Sequence, residues 1–144
     1  MISIDAVPME RMIQDGINTF PEECCGFFYG EEDENGNRRI TEMLAVNNSK
    51  VGDKRRRFEI SPMEYMRGEQ YALKNNLQLL GVYHSHPDHP AIPSEQDRIA
   101  AQPYFSYIIV SVLHKNETHL RSWRLNDDFQ FEEEKINGSA NKHY

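Results

Sequence analysis

Two histidines and an aspartate in one short stretch carry the strongest chemical signal of the chain. In His84-Ser85-His86-Pro87 the imidazoles stand two residues apart, and Asp97 follows eleven residues after His86. Neutral imidazole and carboxylate are ligands that a divalent zinc ion accepts. Three candidate ligands match a catalytic zinc, which usually keeps a fourth position open, whereas a structural zinc more often has four ligands, commonly with cysteine. The spacing therefore points first to a zinc hydrolase. Zinc lowers the pKa of a bound water from 15.7 towards about 7, which makes hydroxide available at neutral pH. The chemistry then needs a base to move protons and a donor for the tetrahedral oxyanion, and both must come from outside the three ligands.

Particular elements must hold these groups together. Gln78 to His84 predicts a strand that delivers the first histidine, and residues i and i+2 at a strand end face the same side. Pro87, Pro90 and Pro93 predict a stiff loop. Ser94-Glu95-Gln96-Asp97 has the capping-box pattern, so a helix is expected to run to about Gln102, before Pro103. Asp97 then falls in the first helical turn, where negative charge is tolerated and the carboxylate can swing towards the histidines.

The rest of the chain supplies a scaffold. Met9, Ile13, Ile17 and Phe20 recur at helical spacing and predict a helix from about Pro8 to Phe20, ended by Pro21. Cys25 to Gly30 reads as a buried strand, Glu31 to Asn37 as a turn, and Arg38 to Val46 as the second strand of a hairpin. Asn47 to Lys54 reads as a polar loop and Arg55 to Ile60 as a short strand. Ser61-Pro62-Met63-Glu64 is another capping box, opening a helix from about Pro62 to Asn76 with Met66, Leu73 and Leu77 on one face. Phe105 to Leu113 is β-branched and aromatic, hence a central strand. Lys115 to Thr118 predicts a turn, His119 to Leu125 a returning strand, and Phe129 to Glu133 one more. The expectation is an α/β fold, a mixed sheet with flanking helices.

The length of 144 residues predicts one domain over 1–136, with a flexible tail over 137–144. The net charge of −7 and a pI of about 5.3 argue against nucleic acid, which requires a basic face. No apolar run approaches the roughly 20 residues that span a bilayer, so no membrane association is expected. Cys24 and Cys25 are adjacent and form no disulfide framework, and no signal-peptide pattern opens the chain; a reducing cytoplasm is expected.

Further motifs carry a family resemblance. His84-Ser85-His86-Pro87, seven residues, and then Ser94-Glu95-Gln96-Asp97 resemble the JAMM motif of the MPN-plus metalloproteases, His-x-His-Pro, a short loop, then Ser-x-x-Asp. Pro21 to Gly30 resembles the family segment in which a glutamate precedes a glycine and a hydrophobic strand, and Glu23, rather than Glu22, has the right offset from Gly26. Phe58-Glu59-Ile60-Ser61-Pro62 is similar to the segment before the family's second helix. The resemblance covers about residues 5–125. It implies a cytidine-deaminase-like MPN/JAMM domain with the site at one sheet edge, and His84, His86 and Asp97 as ligands of Zn2+. It implies Glu23 as the general acid and base that holds the metal-bound water, and Ser94 as a donor to the oxyanion. Eukaryotic members cut isopeptide bonds of ubiquitin. Short bacterial members resemble enzymes that cut after the Gly-Gly tail of ubiquitin-like sulfur-carrier proteins. This chain has no room for the long insertions with which deubiquitinases grip ubiquitin, which favours a smaller carrier as partner.

Other polar residues have plainer readings. Cys24 and Cys25 read as small buried hydrophobes beside the site, since a cysteine nucleophile needs an activating base. His89 reads as a solvated loop residue, His114 and His119 as surface residues, and Ser85 as facing away from the metal. Lys54-Arg55-Arg56-Arg57 lies outside the family pattern and either docks an acidic partner or is a solvated loop. Two rival functions remain open: a non-catalytic MPN scaffold, which typically lacks one or more ligands, and a cupin-like His-x-His oxygenase. The oxygenase would need a further Glu and His in an all-β chain, and the capped helices speak against it.

Overall fold

The computed structural model describes residues 1–114 and 117–137. In chain order the elements are β1 (Ile2–Ile4), α1 (Ala6–Thr19), β2 (Cys25–Glu32), β3 (Arg38–Val46), α2 (Pro62–Lys74), β4 (Gln78–Pro87), α3 (Glu95–Ala100), β5 (Ser106–Leu113), β6 (Glu117–Leu125), β7 (Phe131–Glu134) and β8 (Ile136–Asn137). They build one mixed eight-stranded sheet in the order β7-β6-β5-β4-β2-β3-β1-β8. The α/β expectation holds.

Alternation along β2 sorts its side chains to two faces, and a helix covers each. Cys24 and Phe28 join Tyr83, Ile108 and Val110 beneath Met9 and Met12 of α1. Cys25, Phe27 and Tyr29 join Val82 and Tyr107 on the other face, against Ala72 of α2 with Tyr65 and Tyr71 beside it. Phe27 and Phe28 are fully buried, and each such ring stabilises the fold by about 1.5–3 kcal/mol. Between β4 and β5, which pair in parallel, the chain passes through the proline loop and α3.

Several local expectations are corrected. Helix α1 begins at Ala6, so Pro8 is its third residue, still among the N–H positions that need no intrahelical partner. Arg55 to Ile60 forms no strand. Phe58 and Ile60 alternate as a strand would, but this segment is tied by the Asn48 side chain and a single backbone bond from the Ser49 N–H to the Glu59 carbonyl (2.8 Å), not by a strand ladder. The Asn48 Nδ2 donates to the carbonyl of Arg57 (3.0 Å), and its Oδ1 accepts from the N–H of Glu59 (3.1 Å).

In α2 the packed face is not the expected one. Met66 and Leu73 are 51% and 83% exposed, while Gly68 and Ala72 are buried. Gly68 decides this: a Cβ there would stand 2.6 Å from the Phe27 ring, so only glycine lets the helix lie on that ring. The Ser61 Oγ accepts from the Glu64 N–H (3.2 Å), but the Glu64 carboxylate turns to Arg67 (2.8 Å) rather than back to the cap. Glu117 and Thr118, expected in a turn, belong to β6, and Lys115 and Asn116 lie outside the described residues. Asn137, expected to start the tail, pairs with Ser3 in β8; residues 138–144 lie outside the described residues. No helix among the described residues is long and apolar enough to cross a membrane.

Candidate metal centre and its cleft

Strand register brings the site together. Strand β4 continues past His84 to Pro87, so both histidines are strand residues with side chains on one face. Cys25 of β2 stands opposite His84, and the pairing continues with Cys24, whose N–H donates to Ser85 Oγ (2.8 Å) and whose carbonyl accepts from the Ser85 N–H (3.1 Å). In an antiparallel pair, opposite residues share a face. Beyond Cys24 the ladder ends, since the Glu23 N–H turns to the Lys54 carbonyl, and Glu23 comes to line the same cleft as His86, while Cys24 packs under α1.

The third group arrives on α3. Ser94 caps the helix: its Oγ accepts from the Asp97 N–H (3.1 Å), and its own N–H donates to Asp97 Oδ2 (2.9 Å). The full capping box thereby fixes the rotamer of Asp97 and aims Oδ2 at the histidines. His84 Nε2 and His86 Nε2 lie 3.2 Å apart, and Asp97 Oδ2 lies 3.3 Å and 3.2 Å from them. His86 Nδ1 faces the Pro90 carbonyl at 2.9 Å. A carbonyl only accepts, so Nδ1 is assigned the proton and Nε2 keeps its lone pair towards the cluster.

Three electron-pair donors thus converge on one point. Edges of 3.2–3.3 Å match a tetrahedral ligand set, since bonds of about 2.0–2.1 Å span edges of about 3.3–3.4 Å. The donor set fits a divalent cation. Glu23 is not one of that group of three.

Burial and charge tune these groups. His84 is 1% exposed, stacked on Phe58 at 4.4 Å between ring centroids, and burial pushes its pKa down, which favours the neutral ligand form. Burial also works against charge on His86, but hydrogen bonds to Asp97 and Pro90 raise it. Asp97 is desolvated too, yet attraction and hydrogen bonds from the two histidines and the Ser94 N–H hold it far below the usual carboxylate range. Glu23 is 5% exposed, and burial pushes its carboxyl up to about 8, opposed by His86 and Arg57. Burial also pushes the Cys25 thiol up to about 12 and raises that of Cys24, so neither offers a thiolate nucleophile at neutral pH.

Two clefts flank the donor triangle. One, about 550 Å³, is lined by Glu23, His86, His89 and Ser94 together with Arg55, Arg56 and Arg57. The other, about 370 Å³, runs past Phe58, Tyr65, His84 and Asp97 and shares Arg56 and Arg57. His114 and His119 are exposed and away from both.

Sequence reasoning missed the residue that ties Glu23 in place. Asn48 Nδ2 donates to the Glu23 carbonyl (3.1 Å) as well as to that of Arg57, and the Glu23 N–H donates to the Lys54 carbonyl (2.7 Å). Asn48 lies in a polar loop with no periodicity or motif to single it out. The stacking of Phe58 on His84 was equally silent in the sequence.

Known proteins show similarity over nearly the whole chain. Residues 6–126 match the family model described as prokaryotic homologs of the JAB domain. The chain is 30% identical over 128 residues to a desampylase of Pyrococcus furiosus, covering 88% of this chain and 83% of that protein. A solution structure of a Desulfitobacterium hafniense protein superposes with a TM-score of 0.84 at 30% identity, over 95% of this chain and 92% of the other. One from Salinibacter ruber gives 0.73 at 34% identity, over 93% and 89%. The chain therefore belongs to the prokaryotic JAB-domain family and is a JAMM-type hydrolase.

Proposed function

We propose that this protein is a zinc-dependent isopeptidase or peptidase that cuts after the Gly-Gly tail of a ubiquitin-like sulfur-carrier protein. The observation that carries this reading is the triangle of His84 Nε2, His86 Nε2 and Asp97 Oδ2, with Glu23 lining the same cleft as His86. The similarity to a desampylase supports a ubiquitin-like modifier as the partner class. Two free, buried cysteines suit a cytoplasmic setting.

His84, His86 and Asp97 would hold the zinc ion, which would polarise the scissile carbonyl and acidify water beside it. Glu23 takes the proton of the attacking water and returns it to the departing amine. Its burial beside His86 keeps it out of bulk water, so that the carboxyl exchanges a proton directly with the reacting groups. The Ser94 Oγ spends a lone pair on the Asp97 N–H, which leaves its O–H free to donate to the developing oxyanion. The strands at the site, β2 and β4, lie inside the sheet, so the tail would not add as an edge strand there but would lie extended in the cleft lined by Glu23, His86 and Ser94.

The test is incubation with a sulfur-carrier protein extended beyond Gly-Gly, with and without a chelator, followed by mass spectrometry. Cleavage after the second glycine, abolished by chelator and restored by zinc, is expected. Stoichiometric zinc with no cleavage of any ubiquitin-like substrate would favour a scaffold instead.

A further inference from the structure

We propose that residues 50–57 form a cationic arm that reads the terminal α-carboxylate of a short segment departing from the Gly-Gly tail; this rests on the function proposed above. Five of the sixteen lysines and arginines of this chain stand in that stretch, as Lys50, Lys54, Arg55, Arg56 and Arg57, although the net charge is −7. Elsewhere among the described residues, Arg38, Arg39, Arg67, Arg98, Arg121 and Arg124 each meet a carboxylate, and only the scattered Arg11, Lys74 and Lys135 do not. In the arm, Arg56 meets Asp53 at 3.8 Å, but no ion pair or side-chain hydrogen bond among the described residues engages Lys50, Lys54, Arg55 or Arg57. Four cations without an ion pair thus stand within eight residues on an acidic molecule, and one of them, Arg57, acts on Glu23 through its charge alone.

That place is the mouth of the site. Arg55, Arg56 and Arg57 line the cleft that also holds Glu23, His86 and Ser94, and Arg56 and Arg57 reach the second cleft as well. A cleft of about 550 Å³ accepts a few residues of extended chain, not a folded domain. An anion within reach of these guanidinium groups therefore belongs to residues next to the cut bond. Glycine carries no charged side chain, so a Gly-Gly acyl side supplies none. The departing side does, because a segment of one or two residues ends in a free carboxylate. Guanidinium groups pair with carboxylates in a bidentate fork.

The arm is also fastened to the reacting group. Glu23 is bonded to it on both sides of its backbone, through its N–H to Lys54 and through its carbonyl to Asn48, which holds Arg57 by the same amide. A carboxylate drawn to the arm is thereby registered against the Glu23 carboxyl and the bond it serves.

Two substrates decide the matter: a carrier ending in Gly-Gly followed by one neutral residue with a free carboxylate, and the same carrier ending in a carboxamide. Zinc-loaded wild type is expected to cut the acid with kcat/KM at least tenfold higher, a preference that shrinks as salt rises. An Arg55→Ala/Arg57→Ala variant is expected to lose the preference with zinc content unchanged, and Arg57→Lys to keep part of it. In a second measurement, a Gly-Gly-Ala peptide acid titrated into metal-free protein is expected to shift the amide resonances of residues 55–58, and the peptide amide to leave them in place. Equal cleavage of acid and amide by wild type, a preference that survives the double variant, or identical resonance shifts with both peptides would overturn the proposal. If neither carrier is cut, the substrate assignment fails instead, and the resonance shifts still decide whether the arm reads a carboxylate.

Discussion

Replacing Asn48 by alanine removes four hydrogen bonds at once: those from Nδ2 to the Glu23 and Arg57 carbonyls, and those to Oδ1 from the Lys50 and Glu59 N–H groups. A hydrogen bond contributes about 0.5–1.5 kcal/mol net, and these sit at the low end because water rehydrates most of the freed groups. The expected loss is about 2–3 kcal/mol. For 144 residues that lowers Tm by roughly 7–10 °C, from an unfolding entropy of about 2.1 cal/mol/K per residue. Asn48 touches none of the three donors, so zinc content is expected to hold. Turnover is not: Glu23 loses one of its two backbone anchors, and displacement by an ångström costs about 100-fold in rate. Calorimetry, metal analysis and steady-state kinetics on the purified variant read all three quantities. Asn48→Asp separates the contributions, because it keeps acceptors for Lys50 and Glu59 but turns oxygen against the carbonyls of Glu23 and Arg57. It is expected to match the alanine variant in lost kcat while the loop stays ordered. A variant Asn48→Ala with wild-type Tm and wild-type kcat would refute the tie between this loop and Glu23.

Other outcomes follow from the same geometry. Glu23 has a folded pKa of about 8 against 4.5 for the ordinary carboxyl, so the native state keeps a proton that the unfolded chain releases. Its contribution is full below pH 4.5 and is lost as pH rises through about 8. In chelator, Glu23→Gln is therefore expected to gain stability over wild type at up to about 1.4 kcal/mol per pH unit in that window. Urea unfolding at pH 5 and pH 8 reads this, and a difference independent of pH would contradict it. Ser94→Ala removes a helix cap and the hydroxyl donor together: about 1 kcal/mol of stability and about 100-fold or more in kcat are expected to go. A loss of stability without a loss of kcat would leave Ser94 a cap alone. Gly68→Ala sets a Cβ 2.6 Å from the Phe27 ring and is expected to cost about 1–3 kcal/mol by overpacking, with zinc content unaffected.

The spacing of the site was legible because each element that sets it has a local signature. His84 and His86 lie two apart on a strand, and the Ser94–Asp97 box announces its own helix start. That the box would also aim Asp97 at the histidines was not legible, since it depends on where the proline loop returns the chain. Strand β3 was readable at Arg38 to Val46 because its hairpin partner is next to it in sequence. Strands β1 and β8 were not, because three residues and two residues pair in parallel with distant partners and show no period. Residues 55–60 misled because Phe58 and Ile60 alternate for a reason other than pairing: Phe58 stacks on His84, and Ile60 fills the core under α2. The face of α2 misled because a glycine, not an apolar side chain, makes its closest approach to the sheet.

X-ray absorption at the zinc edge of the metal-loaded protein tests the centre most directly. One zinc per chain, with two imidazole nitrogens and carboxylate or water oxygen at about 2.0–2.1 Å, is the expected spectrum. A sulfur shell at about 2.3 Å would assign the metal to Cys24 or Cys25 instead, and a failure to bind zinc stoichiometrically would remove the basis for His84, His86 and Asp97 as its ligands.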